Sequence, residues 1–164
     1  MEFRKATHSD FSTIVEIYQS GILHLDSIGI HQWDESYPSA TIIEADIQNK
    51  EMYVGLIDDK IVTAFTINPK YDEEYSKGNW QYSNLPFLVL HRFCVNPQHQ
   101  NKGVGTQTMT FIENTLKSEN FQCLRLDAFS LNHFSLRLYE KFGFTKVGEV
   151  TFSKGLFYLF EKKL

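Results

Sequence analysis

The sequence predicts a mixed α/β fold in a single domain, and three observations support this prediction. Short apolar stretches typical of strands alternate with segments whose apolar residues recur every three to four positions, as in helices. Their order is strand, two helices, three strands, then helix, strand, helix and two strands, which favours one central sheet. No internal repeat, low-complexity tract or linker divides the 164 residues, a length that suits one domain. We therefore expect residues 1–164 to fold as one domain.

The first half of the chain combines clear elements with two irregular segments. The predicted elements are a strand at 2–6, a helix at about 11–25, a helix at 41–50 and a hairpin at 52–57 and 61–67. Ser9 or Asp10 is placed to cap the first helix. The segments 29–39 and 69–85 are polar and aromatic, and both are expected to be loops.

The second half is more regular. The predicted elements are a strand at 87–95, a helix at 103–117, a strand at 123–128, a helix at 132–142 and strands at 144–151 and 155–161. The strand at 87–95 is almost continuously apolar, as expected of a central strand that is covered on both faces.

Charge and cysteine content exclude several classes of protein. The net charge is -4, which argues against a nucleic-acid partner because phosphate binding needs a basic face. Cys94 and Cys123 both lie in apolar runs, which predicts buried free thiols in a reducing compartment. The N-terminus lacks the apolar core of a signal peptide, and no run approaches the roughly 20 apolar residues of a membrane span. We therefore expect a soluble cytoplasmic protein without a membrane partner.

The turn at 95–105 carries the strongest chemical signal. A buried strand ends there and a helix begins near Gly103, so backbone N–H groups and the helix dipole are available to an anion. Gly103 and Gly105 allow close approach of the main chain, and Lys102 adds a positive charge. The pattern lacks the Gly-Lys-Ser/Thr of a P-loop and, with Thr108, the third glycine of the dinucleotide fingerprint. On these residues alone, a pyrophosphate site and an ordinary helix start both remain open.

Two motifs in this half resemble those of the GCN5-related N-acetyltransferase (GNAT) family. The segment Gln100-Asn101-Lys102-Gly103-Val104-Gly105 matches the family's Gln/Arg-x-x-Gly-x-Gly/Ala motif. The helix Asn132-x-x-Ser135-x-x-x-Tyr139-x-x-x-Gly143-Phe144 resembles its second signature. The resemblance covers about 88–150, and it implies a mixed central sheet flanked by helices, with the fourth and fifth strands splayed apart.

The resemblance also implies acetyl-CoA as the co-substrate. Its pyrophosphate is expected on the turn and first helical residues, namely Gln100, Asn101, Lys102, Gly103, Val104, Gly105 and Thr106. The pantetheine arm is expected along the strand edge at Phe93, Cys94 and Val95, mainly through the main chain of Phe93 and Val95. Asn132 and Ser135 are expected near the pantetheine end, although Asn132 also suits a simple helix cap.

The same resemblance suggests two catalytic residues. Tyr139 is expected to donate a proton to the departing thiolate; the alternative is a packed aromatic residue. His91 occupies the position of a histidine proposed as a base in arylalkylamine acetyltransferases, and histidine titrates near neutral pH. The alternatives to His91 as the base are Glu35, Asp34, a relayed water or, for His91 itself, a purely structural role.

Strand alternation adds two expectations about this histidine. His91, Phe93 and Val95 are expected to share one strand face. Cys94 is then expected on the other face, which argues against a covalent role for its thiol and against a zinc site formed with His91. No metal is predicted.

The irregular segments suggest where an acceptor binds. Phe, Tyr and Trp make up 15% of the chain, and both tryptophans lie in these segments. The candidate substrate-binding residues are Trp33, Glu35, Tyr37, Trp80 and Tyr82. Aromatic rings and carboxylates suit a cationic amine. The alternatives are that these aromatics plug the sheet edge or form a homodimer interface.

Together these features predict an acetyl-CoA-dependent N-acetyltransferase. The acetyl group would pass to a primary amine of an unidentified small molecule or peptide by direct attack in a ternary complex. The alternatives are a non-catalytic acyl-CoA-binding or regulatory module of the same fold, a transferase for longer acyl chains, and a pure interaction domain.

Overall fold

The computed structural model describes all residues from Met1 to Leu164. Its strands are β1 (Glu2–Lys5), β2 (Met52–Ile57), β3 (Lys60–Asn68), β4 (Phe87–Val95), β5 (Cys123–Phe129), β6 (Thr145–Phe152) and β7 (Gly155–Lys163). Its α-helices are α1 (Phe11–Ser27), α2 (Ala40–Gln48), α3 (Val104–Ser118) and α4 (His133–Lys141). Short 3-10 helices occupy His8–Asp10, Glu73–Lys77 and Pro97–His99. The predicted order of elements and the mixed α/β class are confirmed. None of the helices has both the length and the apolar content needed to cross a membrane.

The strands form one seven-stranded sheet in the order β1-β2-β3-β4-β5-β7-β6. The β1–β2, β2–β3, β5–β7 and β6–β7 pairs are antiparallel, whereas β4 and β5 run parallel. The parallel pairing joins Phe87–Val89 to Cys123–Arg125 and stops there, although both strands continue. This early end of the ladder is the expected feature of a sheet splayed between its fourth and fifth strands.

The chain divides into two compact units. The first contains residues 1–67 and 91–108, and the second contains residues 68–90 and 109–164. Strand β4 and helix α3 each contribute to both units. That residues 1–164 form one domain stays a prediction.

In the first unit, the apolar stripe of α1 forms the centre of the core. Ile14, Ile17 and Tyr18 recur at helical spacing and are at most 2% exposed. They pack with apolar residues of α2 and the sheet, including Ile43, Ile47, Met52, Val54 and Ala64. Burial of each such isoleucine contributes roughly 1.5–3 kcal/mol. This packing fixes α1 and α2 over the strands that precede the candidate site.

Asp10 occupies the N-cap position of α1, as predicted, but its side chain makes no capping hydrogen bond to the helix. Instead, the Asp10 carboxylate accepts hydrogen bonds from the Thr7 backbone N–H and hydroxyl, each at 2.8 Å. It also accepts two from the Arg4 guanidinium, at 2.7 and 2.8 Å. The carboxylate therefore belongs to a capping box around the preceding 3-10 helix and ties β1 to it.

In the second unit, the segment predicted as a long loop supplies part of the core. Its 3-10 helix Glu73–Lys77 carries Tyr75, which is only 2% exposed. The cluster of buried residues there consists of Tyr75, Val89, Val150 and Leu159, with Trp80 and Phe87 packed against it. Most of segment 69–85 lacks regular structure, as predicted, but its aromatic residues pack inward.

Candidate functional site

The turn between β4 and α3 has the backbone geometry of an anion cradle. Asn101 and Gly103 adopt left-handed conformations, with φ of 58° and 79°. Asn96 opens the turn by accepting a hydrogen bond from Gln98 N–H at 3.0 Å. A Cβ built on Gly103 would have only Gln107 Nε2 nearby, at 3.9 Å, so positive φ rather than crowding favours glycine there.

This turn leads directly into a long helix. Helix α3 contains 15 residues, so its first N–H groups and its dipole favour an anion at the N-terminus. Lys102 is exposed beside that terminus, and Val104 is buried and anchors the first turn. The Gln100 side chain donates to the Val95 carbonyl at 3.4 Å, which links the turn to the end of β4. The residues from Gln100 to Thr106 thus lie in this turn and in the first turn of α3.

The strand that leads into the turn is irregular at Arg92. Its φ of 50° breaks the regular alternation of β4. The expectation that His91, Phe93 and Val95 share a face therefore no longer follows from a two-residue period. Because of this break, strand alternation no longer argues against a zinc site formed by His91 and Cys94. No group of three or more His, Cys, Asp or Glu side chains is placed to hold a metal ion.

The residues after Arg92 are tightly packed through their side chains. Phe93 makes an edge-on contact with Phe65, with ring centroids 6.2 Å apart. Cys94 is buried, and burial raises the pKa of its thiol to about 12. A thiol with that pKa is protonated at neutral pH, so it is a poor nucleophile. The Cys94 carbonyl accepts a hydrogen bond from the Thr63 hydroxyl at 2.8 Å.

Helix α4 places the residues of the second motif. Asn132 caps the helix by accepting a hydrogen bond from Ser135 N–H at 3.2 Å, and the Ser135 hydroxyl donates to the Asn132 carbonyl. Tyr139 is 6% exposed and packs against Phe144 and Phe160. Burial raises the pKa of its phenol, and the negative charge of Asp127 raises it further. Tyr139 is therefore protonated at neutral pH, as a proton donor must be.

The residues of segment 29–39 that are predicted to bind the acceptor differ in their surroundings. Trp33 packs edge-on against Tyr18, with ring centroids 5.8 Å apart. The Tyr37 hydroxyl accepts a hydrogen bond from Arg92 at 3.1 Å. Glu35 is exposed. Binding of an acceptor by Trp33, Glu35 and Tyr37 stays a prediction.

In segment 69–85, the predicted acceptor residues surround an arginine of the protein itself. Trp80 stacks on Tyr75 and donates from its indole to the Tyr75 carbonyl at 2.7 Å. The Arg125 guanidinium lies 4.3 Å from the Trp80 ring centroid. Arg125 also donates to the Tyr82 carbonyl at 3.5 Å. Binding of an acceptor by Trp80 and Tyr82 stays a prediction, but both residues have internal partners.

The sequence did not predict a role for three charged residues of β4 and β5 that contact the aromatic segments. Arg92, Arg125 and Asp127 each interrupt an otherwise apolar strand. Arg92 pairs with the buried Asp46 of α2, and Asp127 accepts a hydrogen bond from Tyr75. A charge within a buried strand needs a partner or a function. That interruption is the signal in the sequence that could have identified them.

Comparisons with known proteins point to one family. Residues 16–144 match the family model described as Acetyltransferase (GNAT) family. A spermine/spermidine N(1)-acetyltransferase of Bacillus subtilis is 33% identical over 87 residues, which are 52% of this chain and 51% of that protein. The matched segment thus spans about half the length of that relative. An L-methionine sulfoximine/L-methionine sulfone acetyltransferase of Salmonella typhimurium is 24% identical over 92% of this chain and 83% of its own.

Solved structures show the same fold. A GNAT-family acetyltransferase from Streptococcus agalactiae has a TM-score of 0.86 at 22% identity, covering 99% of this chain and 95% of that one. An N-acetyltransferase from Thermoplasma acidophilum, solved in complex with coenzyme A, has a TM-score of 0.74 at 17% identity. It covers 99% of this chain and 98% of that one.

Proposed function

The chain belongs to the acetyltransferase (GNAT) family, and from this premise we propose that it acetylates the primary amine of a small molecule or peptide with acetyl-CoA. Several relatives are named N-acetyltransferases. The observation that carries the proposal is the turn from Gln100 to Gly105, with its two left-handed residues at the N-terminus of α3. A pure interaction domain has no need of such a turn.

In this proposal, the turn holds the pyrophosphate of acetyl-CoA. Backbone N–H groups at the start of α3 donate to the phosphate oxygens, and Lys102 supplies a full positive charge. The main-chain groups of Phe93 and Val95 bond the pantetheine arm as an added strand would. Asn132 and Ser135 lie at the pantetheine end of the co-substrate.

The chemistry requires three proton transfers. The acceptor arrives as an ammonium ion and loses a proton to His91, to Glu35 or Asp34, or to a relayed water. The free amine then attacks the thioester carbonyl, so that a C–N bond forms, and the nitrogen loses a second proton as the C–S bond breaks. Tyr139 gives its phenolic proton to the departing sulfur, and the second proton released by the nitrogen restores the phenol. The transfer is direct because the buried Cys94 thiol is protonated and poorly nucleophilic.

The relatives suggest which acceptors to test first. One is named for spermine and spermidine, and others for methionine derivatives and S-(2-succino)cysteine. A panel of polyamines and amino acids, assayed by release of free thiol from acetyl-CoA, therefore tests the proposed reaction. Tight acetyl-CoA binding without thiol release for any amine would favour a non-catalytic acyl-CoA-binding module instead.

Co-substrate binding is tested by Gly103→Glu, which places a negative charge in the proposed phosphate turn. Acetyl-CoA at about 100 times its Kd stabilises the wild type by about 2.7 kcal/mol. A gain of that size raises Tm by roughly 5–10 °C for a chain of this length. The variant is expected to lose this shift.

A matched control is available in the first unit. Gly29 has a φ of 78°, and a Cβ there would meet nothing within 4 Å. Gly29→Glu therefore introduces the same backbone strain and the same charge away from the turn, and it should keep the full shift. Equal shifts in both variants would place the co-substrate elsewhere.

The catalytic roles are tested by Tyr139→Phe and His91→Gln. Phenylalanine preserves the contacts with Phe144 and Phe160, so the expected loss is in kcat, by about 10²–10⁴-fold for general acid catalysis. An unchanged kcat would exclude the acid role. If His91 is the base, His91→Gln should remove the acidic limb of the pH–rate profile, whereas an unaltered profile assigns proton removal to another group.

A further inference from the structure

A residue in a left-handed conformation interrupts β4 inside the first unit. Arg92 has a φ of 50°, which residues other than glycine adopt rarely and at a cost in energy. Such strain persists only where the surrounding structure holds it in place. The neighbours of Arg92 in the chain are His91 and Phe93, both of which belong to the proposed site. The contacts that hold Arg92 are therefore candidates for a role in the reaction.

Arg92 is held at both its side chain and its main chain. The guanidinium donates to Asp46 at 2.9 and 2.5 Å and to the Tyr37 hydroxyl at 3.1 Å. The Arg92 carbonyl accepts a hydrogen bond of 2.6 Å from the hydroxyl of Tyr18, which lies on α1 and is only 1% exposed. Burial raises the pKa of this phenol well above its ordinary value, so the hydroxyl keeps its proton at neutral pH. The Tyr18 hydroxyl thus orients the Arg92 carbonyl.

The orientation of this carbonyl determines the orientation of the next backbone N–H. The Arg92 carbonyl and the Phe93 N–H belong to one peptide group, which is planar and trans, so the two point in opposite directions. Because the carbonyl points to the Tyr18 hydroxyl, the Phe93 N–H points away from it. The hydrogen bond from Tyr18 is therefore the contact that sets the direction of this N–H.

After the break, the backbone groups of Phe93 and Val95 face away from β3. The Asn96 N–H donates to the carbonyl of Val62 on β3 at 2.9 Å, so the Val95 carbonyl, in the same peptide group, points away from β3. Backbone groups of every second residue in a strand point to the same side, so those of Phe93 also point away from β3. The β4–β5 pairing ends at Val89, and β5 therefore does not occupy this edge.

The position of Phe93 along β4 indicates which part of acetyl-CoA it meets. In the proposed function, the pyrophosphate lies on the turn that follows β4, and the pantetheine arm runs back along the strand from Val95 toward Phe93. The thioester, at the far end of that arm, is then closest to Phe93 and to His91. An N–H group directed at the thioester carbonyl stabilises the negative charge that develops on its oxygen during attack.

We propose that Tyr18 positions the Phe93 N–H against the thioester carbonyl of the co-substrate, so that a hydroxyl on α1 determines how strongly the acyl group is activated. Tyr18 is a positioning residue, because it touches the strand and not acetyl-CoA. Asp46 and Tyr37 support it by holding the side chain of the strained Arg92. This inference rests on the proposed acetyl transfer and deepens it by linking a residue outside both sequence motifs to the chemical step.

The first readout is the effect of Tyr18→Phe on turnover, measured by thiol release from acetyl-CoA with the panel of polyamines and amino acids. The variant keeps the ring and its contact with Trp33 but loses the hydroxyl, so the peptide group between Arg92 and Phe93 is no longer held. Removal of a whole donor from such a site lowers kcat about 10²–10³-fold, so loss of its alignment should lower kcat by about tenfold or more. An unchanged kcat would overturn the inference.

The second readout is affinity, because acetyl-CoA has a carbonyl that CoA lacks. Calorimetric titration gives the dissociation constants of both compounds for the wild type and Tyr18→Phe. In the variant, the affinity for acetyl-CoA should fall about two- to tenfold relative to that for CoA, as expected for a hydrogen bond between neutral groups. A general loss of structure would weaken both compounds alike and leave the ratio of their affinities unchanged, which would also overturn the inference.

A matched control removes another buried hydroxyl that contacts the same strand. Thr63 on β3 is fully buried and donates to the Cys94 carbonyl at 2.8 Å. That carbonyl shares its peptide group with the Val95 N–H, which faces the pantetheine arm that CoA and acetyl-CoA have in common. Thr63→Val should therefore leave the ratio of the two affinities unchanged and lower kcat far less than Tyr18→Phe does. Equal effects of the two variants on both quantities would refute a specific role of Tyr18.

Failure of this inference can be distinguished from failure of the proposed function. If the wild type releases no thiol with any amine, the proposed acetyl transfer is wrong, and the ratio of affinities still tests the position of the Phe93 N–H. A ratio that Tyr18→Phe leaves unchanged refutes the inference whether or not the protein turns over. If the wild type binds neither acetyl-CoA nor CoA, both proposals are wrong.

Discussion

Each unit of the molecule buries an arginine within a strand, and the two guanidinium groups are held in different ways. In the first unit, Nε and Nη2 of Arg92 both donate to Asp46, at 2.9 and 2.5 Å. Nη1 donates to the Tyr37 hydroxyl, and Asp46 accepts a further hydrogen bond from Thr66. Both ionic side chains are less than one-tenth exposed. This ion pair is held by hydrogen bonds.

In the second unit, the arginine is held mainly by aromatic rings. Arg125 Nε lies 3.9 Å from Glu161 Oε2 and has no hydrogen-bond partner. Its guanidinium instead faces the rings of Phe87 and Trp80 at short distance. Glu161 accepts a hydrogen bond from the backbone N–H of Gln81. Besides one hydrogen bond to the Tyr82 carbonyl, cation–π contacts and burial thus take the place of the hydrogen bonds to a carboxylate found at Arg92.

The difference changes how the aromatic segments are interpreted. Tyr37 and Trp80 are aromatic residues that the sequence suggested for a cationic acceptor. In the structure they contact Arg92 and Arg125, which are cations of the protein itself. Aromatic residues beside acidic ones in a sequence therefore indicate that a cation is bound, but they do not show whether that cation is a substrate or a buried side chain.

The largest loss of unfolding free energy is expected when the ion pair of Arg92 and Asp46 is broken. Asp46→Asn leaves Arg92 buried without a counter-charge, which costs about 3–5 kcal/mol of unfolding free energy. Urea unfolding of the variant and the wild type measures this loss. Asp58→Asn, in the exposed turn between β2 and β3, is the control and should change stability by less than about 0.5 kcal/mol. A loss below about 1 kcal/mol for Asp46→Asn would mean that solvent or Tyr37 compensates Arg92 fully.

A smaller loss of unfolding free energy is expected when Arg125 and Glu161 are both replaced. In the double variant Arg125→Met, Glu161→Gln, the methionine keeps its contacts with the Phe87 and Trp80 rings, and the glutamine can still accept from Gln81. Replacement of a buried ion pair by well-packed residues is often nearly neutral, so the expected loss is below about 1.5 kcal/mol.

The corresponding double variant in the first unit sharpens the contrast. Arg92→Met with Asp46→Asn removes the donors and the charged acceptor that satisfy Tyr37 and Thr66, so it should lose more stability than the pair in the second unit. Equal losses in the two double variants would show that hydrogen bonds and aromatic rings hold a buried arginine equally well.

The sequence was most informative where structure is determined locally. The turn from Gln100 to Gly105 and the helix from Asn132 to Tyr139 depend on glycine conformation, capping and helical periodicity, all of which act over a few residues. The order of strands and helices follows from the same short-range patterns and matched the structure throughout. These features could be predicted because their causes lie close together in the chain.

The missed features depend on contacts between distant residues. The break in β4 at Arg92 accompanies its pairing with Asp46, which lies on another element, and simple alternation does not predict it. The inward packing of Tyr75 and Trp80 depends on β4, β6 and β7. Asp10 is the N-cap residue of α1, as predicted, but Arg4 on β1 and Thr7 engage its carboxylate, so it makes no capping bond to the helix. Local patterns cannot identify such partners.

The smallest loss of unfolding free energy is expected at a third ion pair, because its arginine is partly exposed. Arg4 and Asp10 form two parallel hydrogen bonds, with 38% of the Arg4 side chain and 9% of the Asp10 side chain exposed. The hydrogen bond from Arg4 lowers the pKa of Asp10 well below its ordinary value of 3.8; burial opposes this shift, and the bonds from Thr7 support it. The pair's stabilisation is therefore complete above pH 3.8 and is lost as the pH falls further.

The measurement is the difference in unfolding free energy between the wild type and Arg4→Met as a function of pH. At neutral pH, the variant should be less stable by about 1 kcal/mol, since solvent screens the exposed guanidinium. The difference should shrink as the pH falls from about 4 toward 2, because Asp10 takes up a proton in the unfolded state there, whereas Arg4 keeps it ionised in the folded wild type. Asp10→Asn should likewise approach the wild type in acid. A difference that stays constant over this range would show that Arg4 stabilises the fold through packing of its aliphatic chain and not through its charge.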